Sequence, residues 1–143
     1  MRFHTKVIFA VLGLCAAAGS AAAQDAPEKK LTIELNALSP SQKGCKLTFV
    51  AGNDLLQPIS KVSFEFVLFD GKGLVERMAV LDFRDLPSGK TKVRQFDLPG
   101  TRCDAVKSML INDAPVCEGE GLDKTACMKS LRPSSKSTVA LKG

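Results

Sequence analysis

The sequence predicts an all-β fold: an immunoglobulin-like antiparallel β-sandwich of about seven strands, with one short helix near the C-terminus. Short segments in the middle of the chain alternate apolar and polar residues with a period of two, as strands with one buried face do. Proline and glycine residues separate these segments at regular intervals. Four of the five cysteines lie in the same region and are candidate cross-links between strands.

The start of the chain is predicted to be a secretory signal peptide, residues 1–23. Arg2 and Lys6 precede an apolar run, which becomes Ala-rich and ends in the cleavage pattern Ala21-x-Ala23. The alternative is a membrane anchor, but this run is at the short limit for a span and its second half is weakly apolar. We therefore expect a periplasmic or secreted protein with no stable membrane insertion after cleavage.

Removal of the signal peptide leaves residues 24–30, a predicted flexible leader, and residues 31–143, a predicted single domain. The full chain has 20 Lys and Arg against 15 Asp and Glu, and the signal peptide contains two of the basic residues and none of the acidic ones. The remaining charge is nearly balanced and scattered, and the chain contains no Trp or Tyr. Nucleic-acid binding usually needs a clustered basic face and aromatic stacking, so no nucleic-acid partner is expected.

Four cysteines remain after the signal peptide: Cys45, Cys103, Cys117 and Cys127. An even set in an exported domain favours two disulfides. The alternative is a metal site, but the chain has no CxxC pair and its one histidine, His4, lies in the signal peptide. We therefore expect no metal and no cofactor.

Three disulfide pairings are open, and we favour Cys45–Cys103 with Cys117–Cys127. The second pair encloses a short loop whose glycines permit a bend. In an alternating antiparallel order the second and sixth strands run the same way, so Cys45 and Cys103 would lie at the same end of the sandwich. The loop-entropy estimate assigns about 4 kcal/mol to the long bridge and about 3 kcal/mol to the short one.

The strands follow from the alternation, taken in chain order. The predicted strands are residues 31–36, 45–51, 62–70, 74–83, 90–98, 106–112 and 137–141. The turn signals between them include Pro87 with Gly89, Pro99 with Gly100, and Asp113 with Pro115. A short helix over residues 124–131 would be capped by Asp123 and stopped by Pro133.

The stretch FEFVLFDGKG, residues 64–73, contains an acid at the end of an apolar strand. Asp70 is either the start of a chemical site or the corner of a hairpin. A calcium loop would need further acids at alternate positions, and Lys72 occupies the loop instead. We interpret Asp70 and Gly71 as the hairpin turn, with Lys72 facing solvent at its tip.

Within this stretch, Phe66 to Asp70 resembles the F-x-L-Y-D signature of the FxLYD domains, small immunoglobulin-like modules of exported prokaryotic proteins. Phe69 replaces the usual tyrosine, and the similar pattern continues through Gly73 to the turn at Leu86 and Gly89. The chain after the signal peptide also resembles small exported bacterial proteins of unassigned function. These resemblances imply the fold and the compartment, and they bring no catalytic residue with them.

Catalysis is not expected. Residues 24–143 contain no histidine, which excludes Ser–His and Cys–His nucleophiles, and the chain has no phosphate-binding glycine loop. Two carboxylate pairs remain as candidates for acid–base work, Asp82 with Asp85 and Glu118 with Glu120. We interpret both pairs as solvated loop acids.

Lys90, Lys92 and Arg94 follow one another at strand spacing and would share a face. They are candidates for binding an anion such as a phosphorylated glycan or a lipid head group. The alternative, which we favour, is that these charges guard a sheet edge against pairing with other chains.

Together these observations predict a non-catalytic exported protein that binds or helps to assemble another envelope protein through a sheet edge or a loop. One alternative is an accessory protein of the stress response that binds an anion or a glycan. A second alternative is a small hydrolase that uses the carboxylate pairs.

Overall fold

Residues 28–143 are described by the structure, a computed structural model, and they form a two-layered β-sandwich. The predicted signal peptide and the first four residues of the predicted leader lie outside the described residues. The described strands are β1 (Leu31–Pro40), β2 (Gly44–Asn53), β3 (Ile59–Phe69), β4 (Val75–Leu86), β5 (Lys90–Pro99), β6 (Ser108–Glu118), β7 (Leu131–Ser135) and β8 (Ala140–Lys142). A 3₁₀ turn (Cys103–Ala105) precedes β6, and a short helix, α1 (Ala126–Lys129), precedes β7.

The strands form two sheets of four strands each, sheet A in the order β5-β2-β1-β7 and sheet B in the order β4-β3-β6-β8. The β-sandwich with a short helix near the C-terminus is therefore confirmed. Most neighbouring strands are antiparallel, but β7 pairs with β1 and β8 pairs with β6 in parallel. These two parallel pairs were not predicted. After α1 the chain enters sheet A at β7 and then returns to sheet B at β8.

Phenylalanine rings from both sheets fill the centre of the sandwich. Phe49 of sheet A and Phe64, Phe66 and Phe83 of sheet B are fully buried. The ring centre of Phe49 lies 5.1 Å from that of Phe66 and 5.4 Å from that of Phe83. Because strands alternate their side chains between two faces, the buried residues of β3 and β4 leave the intervening residues on the outer face of sheet B.

Strand β6 is longer than expected, because Asp113 and Pro115 were predicted to end it and the strand continues to Glu118. Proline lacks the N–H that a central strand donates, so it is confined to edges and bulges. Pro115 lies both at an open edge of β6 and at a bulge. Strand β8 covers only the first three residues of β6, and the register with β3 shifts between Ser63 and Glu65, opposite this region.

The C-terminal segment also differs from the prediction. The helix is shorter than residues 124–131, and β7, which contains Pro133, follows it directly. Strand β7 lies at the edge of sheet A, where proline is tolerated. The predicted last strand begins later, at Ala140, because Ser135 and Ser137 bind the backbone of this segment and form a turn.

Two disulfides are present, Cys45–Cys103 and Cys117–Cys127, the pairs that the sequence analysis favoured. The first joins the start of β2 to the turn before β6, and so ties sheet A to the entry of sheet B. The second joins the end of β6 to α1. No helix within residues 28–143 is long and apolar enough to span a membrane.

A buried asparagine, Asn53, holds the connection between β4 and β5. Its side-chain amide donates to the carbonyl oxygen of Leu86 at 2.8 Å, and its carbonyl oxygen accepts from the Leu55 N–H at 2.9 Å. Its backbone oxygen accepts from the N–H of Gly89, which has a left-handed φ of 70°. This network orients the two edge strands that leave the turn.

Candidate interaction surface

Asp70 is the corner of the β3–β4 hairpin. Its carboxylate accepts hydrogen bonds from the N–H groups of Lys72, at 2.8 Å, and Leu74, at 2.9 Å. The left-handed residue of the turn is Gly73, with φ 76°, and not Gly71. A three-residue loop with glycine in this conformation is a common hairpin connection. The carboxylate therefore serves the turn and is not directed into a site.

The outer face of sheet B carries apolar side chains beside this hairpin. On β4, Leu81 and Phe83 are buried, whereas Met78 and Val80, which precede them, are 54% and 57% exposed. Met78 lies opposite Val67 on β3, which is 6% exposed and thus shielded by its neighbours. Since cross-strand partners share a face, these residues form one outward surface.

Leu74, the last residue of the hairpin connection, and Val75, Met78 and Val80 of β4 are together called the β4 patch. Leu74 and Val75 are 62% and 58% exposed, and Val75 lies opposite Phe69. Among the described residues, six large hydrophobic side chains are mostly exposed, and four of them form this patch. Scattered apolar residues need no explanation, but a contiguous group on one surface is typical of an interaction site.

The patch lies on an edge strand, because β4 is the outermost strand of sheet B. An edge strand presents unpaired backbone groups to solvent. The end of β4 is covered by Arg94 of β5, whose Nε donates to the Phe83 carbonyl at 2.6 Å and whose Nη2 donates to the Asp85 carbonyl at 2.8 Å. Within residues 28–143, no side chain bonds to the backbone of residues 75–82, which we call the free segment of β4.

A bulge separates the free segment from the covered end. Arg84 has φ 60°, the left-handed region, and is the one non-glycine residue with a positive φ among the described residues. Its N–H donates to the Asp82 carboxylate at 2.8 Å, and the register with β3 shifts at this point. Bulges of this kind occur at sheet edges and redirect the strand. Here the bulge brings the end of β4 to Arg94.

The predicted basic group lies on β5, the edge strand of sheet A. Lys90, Lys92 and Arg94 share a face, as predicted, and their partners on β2 are Asn53, Ala51 and Phe49, all fully buried. The basic residues therefore point towards the inside of the sandwich. The Arg94 side chain is only 10% exposed, and its guanidinium also pairs with the Asp85 carboxylate at 3.3 Å.

The carboxylate pairs are not assembled into one cluster. Asp82 binds the Arg84 N–H and Asp85 pairs with Arg94, while Glu118 and Glu120 are exposed at the end of β6 and beyond it. Within residues 28–143, no group of three or more His, Cys, Asp or Glu side chains is arranged to hold a metal ion.

Asp104 and Asp123 have lowered carboxyl pKa values. A hydrogen bond from Arg102 lowers the pKa of Asp104, and a hydrogen bond from Thr125 lowers the pKa of Asp123. A general acid at neutral pH needs a raised pKa, so these two exposed acids remain ionised and serve local structure.

Two open depressions lie away from the β4 patch. One of about 610 Å³ is lined by Glu28, residues 29–30, residues 54–56 and the turn at Ser88. The other, of about 600 Å³, is formed by residues 40–44 and residues 100–104. Neither includes a member of the predicted carboxylate pairs or of the basic group on β5.

Comparison of the chain with protein-family models, with curated proteins and with solved structures found no match. The resemblance to the FxLYD domains stays a prediction carried by residues 66–70.

The alternation that predicts a strand over residues 74–83 does not by itself identify Met78 and Val80 as an exposed surface. The available signal was the run of four apolar residues, MAVL at positions 78–81, on a strand that begins after a solvent-exposed turn. A strand with one solvated face normally has polar residues at alternate positions, so apolar residues on both faces indicate a second contact.

Proposed function

We propose that the protein is a non-catalytic binding module of the periplasm or the cell exterior that attaches to another envelope protein through the β4 patch. The observation that carries this proposal is the contiguous exposed apolar surface on an unpaired edge strand. Interfaces between proteins place apolar side chains at their centre, and exposed sheet edges accept extended segments of partners.

The rigidity of the surface supports this function. Ala79 and Leu81, next to Met78 and Val80, pack in or against the buried core, where the Phe83 ring centre lies 5.4 Å from that of Phe64. The hairpin is closed by the hydrogen bonds of Asp70. A surface held in place before binding loses little conformational entropy when a partner docks.

The compartment is supported by the disulfides. Cys45–Cys103 and Cys117–Cys127 would persist in an oxidising compartment and would be reduced in most cytosols. The predicted signal peptide supplies the route of export, and the FxLYD resemblance points to the same location.

Site-specific photo-cross-linking tests the proposal. A photo-reactive amino acid replaces Met78 on β4 or, as the control, Val93 on β5, which is 59% exposed and also lies on an edge strand. In the envelope fraction of cells that make the protein, position 78 is expected to yield adducts of discrete mass that are absent at position 93.

Substitution of the nearby Val80 by lysine distinguishes a specific contact at position 78 from random collision during cross-linking. Val80→Lys should abolish the adducts from position 78, whereas Val93→Lys should leave them unchanged. The same adducts from both positions, or none from position 78, would show that the β4 patch does not contact a partner.

A further inference from the structure

The free segment of β4 has a charge pattern of its own. Met78, Val80 and Asp82 occupy alternate positions on the outer face of β4, and Glu76 precedes them at the point where the register with β3 shifts; all four are exposed. The centre of this row is therefore apolar, and both of its ends are acidic.

The nearby charges do not neutralise these acids. Arg77 is directed across the sandwich, where its Nη1 donates to the Pro99 carbonyl at 2.6 Å and to the Thr101 hydroxyl at 3.0 Å. Glu65, which lies opposite Val80, accepts a hydrogen bond from the side chain of Asn112 at 2.7 Å and adds one more acid to the surface. A partner that lies along the row would meet negative charge at both ends.

This pattern disfavours a second copy of the chain as the occupant. Two-fold symmetric pairing of β4 with itself is antiparallel, and the register that joins Met78 to Val80 places Glu76 opposite Asp82 on both sides of the axis. Like charges directly opposite destabilise a strand pair.

The two neighbouring registers also fail. Pairing Met78 with itself sets Glu76 against Val80, and pairing Val80 with itself sets Met78 against Asp82. In both cases a carboxylate is placed against an apolar side chain that would otherwise have been buried, and burying a charge without a partner is costly.

We propose that the partner contributes an extended segment that adds to sheet B as a fifth strand along residues 75–82. This inference rests on the proposed function and specifies the chemistry of the occupant. The segment has aliphatic side chains at alternate positions opposite Met78 and Val80, and Lys or Arg residues at its two ends opposite Glu76 and Asp82. Its backbone pairs with the free edge of β4.

The extent of this strand follows from the two ends of the free segment. The hairpin turn at Gly73 ends it on one side, and the bulge at Arg84 with the Arg94 contacts ends it on the other. A segment of about seven residues, or roughly 20 Å at 3.4 Å per residue, matches this distance.

Synthetic peptides test the inference. The first peptide has lysine at both ends, valine and leucine at the two inner alternate positions and threonine between them. The matched peptide has glutamate in place of both lysines. Binding to the purified protein is measured by backbone amide NMR shifts, and the lysine peptide is expected to bind at least about tenfold more tightly, with the shifts centred on residues 75–82.

Backbone methylation tests strand addition itself. In a strand, only alternate N–H groups face the neighbouring strand. Two versions of the lysine peptide are N-methylated, one at odd and one at even positions, and only one of the two is expected to lose binding. Equal binding by both versions would overturn the pairing of backbones.

Substitutions of Glu76 and Asp82 in the protein test whether their charges select the peptide. Glu76→Lys with Asp82→Lys should reverse the preference between the two peptides. Glu76→Gln with Asp82→Asn should remove the preference, and the asparagine can still accept the Arg84 N–H. Val93→Lys should change neither result. If both peptides bind the unaltered protein equally, the charge pattern does not select the partner and the inference is wrong.

Two further outcomes separate this inference from the proposed function. If cross-linking from position 78 persists and depends on Val80 while no peptide binds up to millimolar concentration, the binding function stands and strand addition is wrong. If the protein dimerises on concentration and Val80→Lys abolishes the dimer, the occupant is a second copy and the inference is overturned.

Discussion

Strands β4 and β5 follow each other in the chain, lie side by side at one edge of the sandwich and treat their free edges in opposite ways. Strand β5 turns Lys90, Lys92 and Arg94 towards the inner face of sheet A, and we predict that these charges guard its edge against pairing with other chains. Strand β4 places Met78 and Val80 in solvent. The two edge strands of one domain thus differ in the side chains that they place in solvent.

The contacts of Arg94 and Arg77 show which part of β4 is accessible to a partner. Arg94 reaches from the guarded strand and binds the carbonyl groups of Phe83 and Asp85, so the last part of β4 is unavailable to a partner. Arg77 makes the reverse connection, from β4 to the end of β5 at Pro99. Arg77 and Arg94 thus connect β4 to β5 at two points, while Met78 and Val80 on the outer face of β4 remain exposed.

The largest expected difference in the free energy of unfolding is between substitutions on the inner face and on the outer face of β4. Phe83→Ala removes a ring that contacts four other phenylalanines and should lower the free energy of unfolding by about 3–5 kcal/mol. Val80→Lys, on the outer face, should change it by no more than about 0.5 kcal/mol. Urea unfolding followed by circular dichroism measures both. A loss of several kcal/mol for Val80→Lys would mean that the patch is part of the folded core.

An intermediate effect is expected at Arg94, which joins the two edges. Arg94→Ala leaves the Phe83 and Asp85 carbonyls without their donor and should cost about 1–3 kcal/mol. Arg94→Lys keeps the charge but cannot bind two carbonyls with a planar fork, so it should recover only part of this loss. Measurement of the free energy of unfolding of both variants tests these two expectations. If Arg94→Ala were as stable as the unaltered protein, the contact between β4 and β5 would not depend on the arginine.

The smallest effect on stability is expected for the guard on β5. Replacing Lys90 and Lys92 with valine should change the free energy of unfolding by less than about 1 kcal/mol, because both side chains lie at the rim. The same change removes the charges that oppose strand pairing, so self-association should increase in sedimentation experiments. Valine at Thr91 and Gln95, on the opposite face of β5, is the matched control. If association does not change, β5 is protected by something other than its lysines.

Much of the fold was predictable because the strands alternate clearly and the turns contain strong signals. The five strands from β1 to β5 lie where the alternation places them, and the hairpin at Asp70 follows from the Asp-Gly pair and the glycine after it. The cysteine pairs follow from loop length and strand order. These are local or nearly local properties, so the sequence contains the information directly.

The C-terminal part was predicted less well because its structure depends on neighbours. Pro115 and Pro133 act as terminators in isolation, yet both lie within strands, since those parts of β6 and β7 have an open side. Nothing local to these residues shows whether a neighbouring strand will need the missing N–H. The parallel pairing of β7 with β1 likewise joins segments that are far apart in the chain.

The candidate interaction surface was likewise predictable only in part from the sequence. The sequence by itself determined that the centre of β4, the run MAVL, is apolar on both faces and that three basic residues of β5 share a face, because side-chain period is a property of the extended backbone. Only the tertiary structure decided that the basic residues share the inner face of sheet A with buried residues of β2 and that β4 has no neighbour beyond β3. The physical reason is that exposure depends on sheet order, and sheet order is set by packing of the whole core.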